Sequence, residues 1–99
     1  MSTTRPIDDF VDLTAFQRDV LWTLAREDGL SGATVKATLE AYYDDDVNSG
    51  TIYPGLDKLV DRGLVAKQAR DKRTNEYRLT ESARRALEAR NAWQAGGSE

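Results

Sequence analysis

The sequence predicts a mainly α-helical domain with one small β-hairpin: three helices, two strands, then a last helix. Three observations carry this. Apolar residues recur at helical spacing in three runs, opened by the good N-caps Thr14, Ser31 and Asn48. After Gly63 the period falls to two over Leu64–Ala69 and Glu76–Leu79, with a charged turn between them. A fourth helical run follows Thr80. Ninety-nine residues suffice for one domain with one modest core.

Residues 1–11 lack periodicity and contain Pro6 and an Asp pair, so they read as a flexible arm, with Phe10 and Val11 packing just before the first helix. Thr14 with Gln17 forms a capping box. Leu13, Phe16, Val20 and Leu24 trace one apolar face, and Gly29 is expected to end the helix. Leu21 and Trp22 fall off that stripe, which points to a second partner surface. The second helix puts Val35, Leu39 and Tyr42 inside and stops at Asp44-Asp-Asp46, read as a solvated turn. The link Asp44–Val47 is short, giving the helix-turn-helix arrangement. The third helix runs from its cap Asn48 to Gly63, with Ile52, Leu56, Leu59 and Val60 on one stripe. Its other face carries Ser49, Thr51, Tyr53 and Lys58. Pro54 lies past the first turn, where proline removes a hydrogen bond. The hairpin has a basic tip, Arg70–Asn75. The last helix shows a narrow seam of Ala83, Ala86, Leu87 and Trp93 flanked by Arg84, Arg85, Glu88 and Arg90, which fits packing against a second subunit. Ala95–Glu99 reads as a disordered tail.

Composition excludes several classes. Cysteine and histidine are both absent, which removes disulfides, thiolate nucleophiles, ordinary zinc sites and imidazole acid–base chemistry. No catalytic set, metal site or cofactor motif is visible, so no enzyme is expected. No apolar run reaches membrane-spanning length and no secretory signal is seen, so a cytoplasmic protein is expected. Net charge is −3, but residues 1–60 carry −6 and residues 61–99 carry +3. A domain divided in this way can present one basic face to phosphates. Asp outnumbers Glu by 11 to 6 and Arg outnumbers Lys by 10 to 4, a bias that suits a halophilic source.

Three helices followed by a hairpin is the winged helix-turn-helix order. The stretches SGTIYPGLDKLVDRGLV and RTNEYRLTESARRAL resemble the PadR family of transcriptional regulators. That family shows a Gly-Thr-Leu-Tyr-Pro-x-Leu-x-x-Leu-x-x-x-Gly-Leu helix. Gly50, Thr51, Tyr53, Pro54, Leu56, Leu59, Gly63 and Leu64 match it, with Ile52 in place of leucine. Asp12–Ala25 is similar to the opening helix of haloarchaeal members. The resemblance covers roughly residues 12–93. A single C-terminal helix places the chain with the short branch, so residues 12–79 would form the DNA-binding domain and 80–94 a dimerisation helix.

The resemblance implies a homodimer on a palindromic operator in double-stranded DNA, acting as a repressor. The third helix would enter the major groove with its N-terminal residues near base edges. Asn48, Ser49 and Thr51 are placed for that, and Gly50 permits close backbone approach. Tyr53 either donates to a phosphate or joins the core. Lys58 and, on the second helix, Lys36 are further candidates. At the tip Arg70, Lys72 and Arg73 would reach phosphates or the minor groove, while Asn75 either helps or shapes the turn. Asp71 is expected to weaken the field of the tip. The dimer interface would use Leu21, Trp22, Ala83, Leu87, Arg90 and Trp93. No effector pocket is readable; a tryptophan-bearing interface is where one would lie. The competing reading is a winged-helix protein-interaction module without specific DNA binding, but such modules often lose the basic wing and polar helix face that this chain keeps.

Overall fold

The computed structural model describes residues 8–27 and 29–96. The expected arm up to residue 7 and the tail beyond Gly96 lie outside them. Asp8–Val11, assigned to the arm, instead form a helical turn, α1. Its Phe10 is only 2% exposed. The ring lies between the guanidinium groups of Arg18 at 4.6 Å and Arg90 at 5.0 Å, so α1 is docked by an aromatic side chain flanked by two cations.

Helix α2 spans Ala15–Leu24 and begins with the complete Thr14–Gln17 capping box. It ends four residues before the next strand-entry glycine could stop it. Leu24 is its last buried residue, and Ala25, Arg26 and Glu27 are all exposed, so a longer helix would bury nothing more. Gly29 serves the following turn, with φ of +74°. Strand β1, Leu30–Ser31, leads directly into α3, Gly32–Tyr43, whose N-cap Ser31 accepts from Thr34 N–H. Val35 and Leu39 face the core as expected. Tyr42 does not, being 78% exposed. Its neighbour Tyr43 turns inward and donates to Asp19 Oδ2 at 2.6 Å, which fixes the end of α3 on α2. Burial first, then this carboxylate, pushes the Tyr43 phenol pKa up.

Helix α4, Ser49–Asp61, closes with a Schellman motif: Gly63 N–H donates to Val60 O and Leu64 N–H to Leu59 O, with φ of +77° at Gly63. Strands β2, Val65–Ala69, and β3, Asn75–Leu79, pair antiparallel, with Val65 opposite Leu79 and Lys67 opposite Tyr77. Strand β1 pairs with the other edge of β3, so the sheet has three strands in the order β1-β3-β2, one more than the expected hairpin. Thr80 ties the end of α4 to the start of the last helix. It donates to Gly63 O at 2.8 Å and accepts from Ala83 N–H.

Helix α5, Glu81–Gln94, packs on its own chain against α1, α2 and β3. Ala83, Ala86 and Leu87 are buried there, and so is Leu21 of α2. Leu21, Ala83 and Leu87, expected at a subunit interface, are therefore corrected to the core of this chain. The seam looked thin because alanine contributes little volume, yet its small side chain lets the helix backbone approach closely. One core joins Phe10, Leu21, Leu24, Val35, Leu39, Ile52, Leu56, Leu59 and Leu87. It fixes α4 by Ile52, Leu56 and Leu59 and leaves the opposite helix face outside.

Candidate nucleic-acid interface

The polar face of α4 starts at its cap. Asn48 Oδ1 accepts from Gly50 N–H at 2.6 Å, and Asn48 O accepts from Thr51 and Ile52 N–H. The donors of the first turn are thus mostly engaged within the chain, so the helix start is a less open phosphate cradle than its sequence suggested. Asn48 keeps its amide NH2 for other partners. Ser49, Gly50, Thr51 and Lys58 are all exposed. Neither Ser49 nor Thr51 engages its hydroxyl with another described residue. Pro54 sits inside a continuous helix and cannot donate to Gly50 O, which therefore lacks its helical N–H partner.

Tyr53 is 40% exposed, and its ring rests on Gly32. A Cβ at Gly32 would stand 2.4 Å from Tyr53 Cε1, so the glycine is what lets the first turn of α3 accept the ring. Tyr53 is thus an aromatic side chain leaning on the scaffold with its hydroxyl at the surface, between the two roles open to it from sequence.

At the wing tip the exposed Asp71 is bound to its own loop. Its Oδ1 accepts from the N–H groups of Arg73 and Thr74, both at 2.9 Å. The Arg73 backbone N–H, foremost, holds this carboxyl below the usual carboxylate range. Asp71 shapes the turn with one of its oxygens, and Lys72 and Arg73 are left exposed without an ion pair among the described residues. Arg70 is different. Its Nη2 donates to Gly29 O and Glu76 Oε1, both at 3.3 Å, which fastens the wing to the α2–β1 connection. Lys36 is engaged as well. It pairs at 2.9 Å with Glu40, which also accepts from Val47 N–H at 2.9 Å. That backbone bond, then Lys36, lowers the Glu40 pKa. Lys36 thus braces the α3–α4 turn and is not brought to the wing.

Between wing and helix lies an open cleft of about 620 Å³. Its lining includes Tyr53 of α4, Arg73 and Asn75 of the wing, and Gly32 at the start of α3. It also includes Lys67 and Tyr77, which sequence reasoning did not single out. Lys67 shares strand parity with the buried Val65, and a lysine on the apolar side of a strand was the available signal. It lies 3.5 Å from Asp57 of α4. Of the expected interface residues, Trp22 is half-buried beside the groove formed by Ala25, Arg84, Glu88 and Asn91, and Trp93 is 61% exposed with Arg90 4.9 Å from its ring. Among the described residues no helix is long and apolar enough to cross a membrane.

The profile of the transcriptional regulator PadR-like family matches residues 20–89, from within α2 to within α5. Among solved structures, RosR in a complex designated RosR-S4 superposes with a TM-score of 0.90 at 43% identity, over 93% of this chain and 79% of that one. RosR of H. salinarum grown from NaBr gives 0.83 at 45% identity, over 87% and 77%. A MarR-family regulator from Rhodococcus sp. RHA1 gives 0.72 at 22% identity, over 93% and 64%, a likeness of fold alone. No curated protein matches the chain.

Proposed function

Because this chain belongs to the PadR-like family of transcriptional regulators, we propose that it binds specific duplex DNA sequences as a homodimer and represses transcription from a palindromic operator. It is a regulator and not an enzyme. One observation carries the proposal: Tyr53 of α4 and the outward Arg73 of the wing line the same cleft, on the helix whose first turn leaves Ser49, Gly50 and Thr51 exposed.

In this reading α4 enters the major groove with Ser49, Gly50 and Thr51 against base edges, Asn48 offering its amide and Tyr53 its hydroxyl. Lys58 contacts a phosphate beyond them. Lys72 and Arg73 reach the flanking backbone or minor groove, and Asn75 supports the tip. Arg70 and Lys36 hold the scaffold that aims these groups. Selection of bound sites from random duplexes tests the reading. Recovery of a palindromic site, with altered base preference for Thr51→Ala, supports it. No binding to any duplex at low salt would leave the protein-interaction module in its place.

Trp93, Trp22 and Arg90 support a subunit interface along α5, since a large exposed aromatic on a terminal helix favours being covered. Sedimentation should give a dimer at micromolar concentration, and Trp93→Ala should shift it toward monomer. A wild-type monomer would rule this interface out. Repression follows if a reporter with the selected site overlapping its promoter falls in output when the protein is present. The aspartate-rich, lysine-poor surface further supports work in a salt-rich cytoplasm. Unfolding followed by circular dichroism in low and molar KCl would show equal stability if that is wrong.

A further inference from the structure

Resting on the DNA-binding reading, we propose that the cleft between wing and α4 seats one phosphate group, held by the hydroxyls of Tyr53 and Tyr77 with Lys67 and Arg73 supplying charge. Tyr77 is the observation that points there. It is only 2% exposed, yet its phenol looks into the cleft toward Lys67, Asp57 and Tyr53. The O–H itself donates to no acceptor among the described residues, and neither does that of Tyr53. The Tyr77 ring is buried while its hydroxyl opens to the cleft, and Tyr53 is 40% exposed, so both hydroxyls are free to donate to a bound group. Two free donors facing one space suit an acceptor with several oxygens.

The sheet register places the cation beside them. Tyr77 stands directly opposite Lys67 across β3 and β2, so both side chains leave the same sheet face. Lys67 contacts Asp57 at 3.5 Å, with both side chains more than a third exposed. So loose a pair contributes little and leaves the ammonium available. With Arg70 held by Glu76, Lys67 and Arg73 against Asp57 leave the lining net +1 in a chain of net −3. The first residues of α3 line the same space, so the positive end of that helix adds to the field. The cleft is open to solvent, and its volume of about 620 Å³ exceeds that of a phosphate group. A DNA backbone phosphate and a free phosphate share this chemistry.

The test uses the full chain, a duplex selected as above, copies of it carrying one methylphosphonate linkage each, and inorganic phosphate. Tyr77→Phe keeps the buried ring and removes only the hydroxyl. Lys67→Gln changes an exposed side chain and is the second variant should the first not fold. Each is expected to weaken duplex binding about tenfold, the loss of one charge-assisted hydrogen bond. One methylphosphonate position should weaken the wild type and leave the variants unaffected, marking the seated DNA phosphate. Saturable shifts of the Tyr77 signals with inorganic phosphate, lost in Tyr77→Phe, with no change in duplex affinity, would make free phosphate the occupant. Variants that bind both probes like the wild type overturn the proposal while leaving DNA binding intact. A wild type that binds no duplex overturns the DNA-binding reading, and the inorganic phosphate titration then decides the seat alone.

Discussion

The α3–α4 turn and the wing tip are both short, charged connections, and they present opposite signs to solvent. At the turn the cation faces inward: Lys36 is held by Glu40, while Asp44, Asp45 and Asp46 remain exposed. At the tip the carboxylate is the engaged group: Asp71, though exposed, holds two backbone N–H groups, while Lys72 and Arg73 are exposed and unpaired among the described residues. Counting charges along either segment misses this. The field that a loop projects is set by which of its charges its own backbone and neighbours already engage.

The largest expected effect comes from the outward cation. Arg73→Ala should weaken binding about tenfold on every sequence and flatten the log–log salt dependence by about 1, as loss of one phosphate contact does. Gel shifts across a KCl series measure both, and an unchanged slope would break the contrast between tip and turn. The backbone-bound carboxylate comes next. Asp71→Ala should weaken binding several-fold although it removes a negative charge, because the tip loses two hydrogen bonds. Asp71→Asn keeps an acceptor at the same place and should bind at least as well as the wild type. If alanine strengthened binding as much as asparagine, charge count alone would suffice.

Acid titration probes both connections at once. The folded Asp71 and Glu40 carboxyls lie below their ordinary values of 3.8 and 4.5. A depressed carboxyl adds stability that is fully present above its unfolded pKa and is lost as pH falls through the folded one. Melting temperature should therefore fall below about pH 4, and less steeply for Glu40→Gln than for the wild type. The smallest effect is expected from freeing the cation at the turn. Glu40→Gln should change duplex affinity less than about twofold, since Lys36 does not line the cleft. Gly32→Ala sharpens the picture from the scaffold side. Only the Tyr53 ring must move, so stability should change within about 0.5 kcal/mol while affinity drops, as thermal melts and anisotropy would show.

What was legible in the sequence was mostly local. The Thr14–Gln17 box, the Ser31, Asn48 and Thr80 caps and the Gly63 stop depend on neighbours within a few residues, and each stands where expected. The paired strands β2 and β3 were equally readable from their period. Strand β1 was not, because two residues cannot display alternation. Tyr42 and Tyr43 are adjacent, and which one turned inward depended on Asp19 of another helix. Arg70 looked like its neighbours at the tip until Glu76, across the hairpin, engaged it. Lys67, Tyr77 and Gly32 acquire a place at the cleft only through sheet register and helix contact. The cleft was therefore half visible: its polar rim could be read along the chain, whereas its floor is a tertiary product.

The stacking of Phe10 between Arg18 and Arg90 bears on how the domain is completed. The contact joins α1 to α5, so it closes a very long loop. During synthesis the α1 turn must wait for Arg90 of α5 before it can dock. Contacts of such long separation belong to the late, slow part of folding. Weakening them should speed loss of the finished structure more than it slows its formation. The aromatic of α1 thus works as a clasp on a domain whose α4 and wing are already in place.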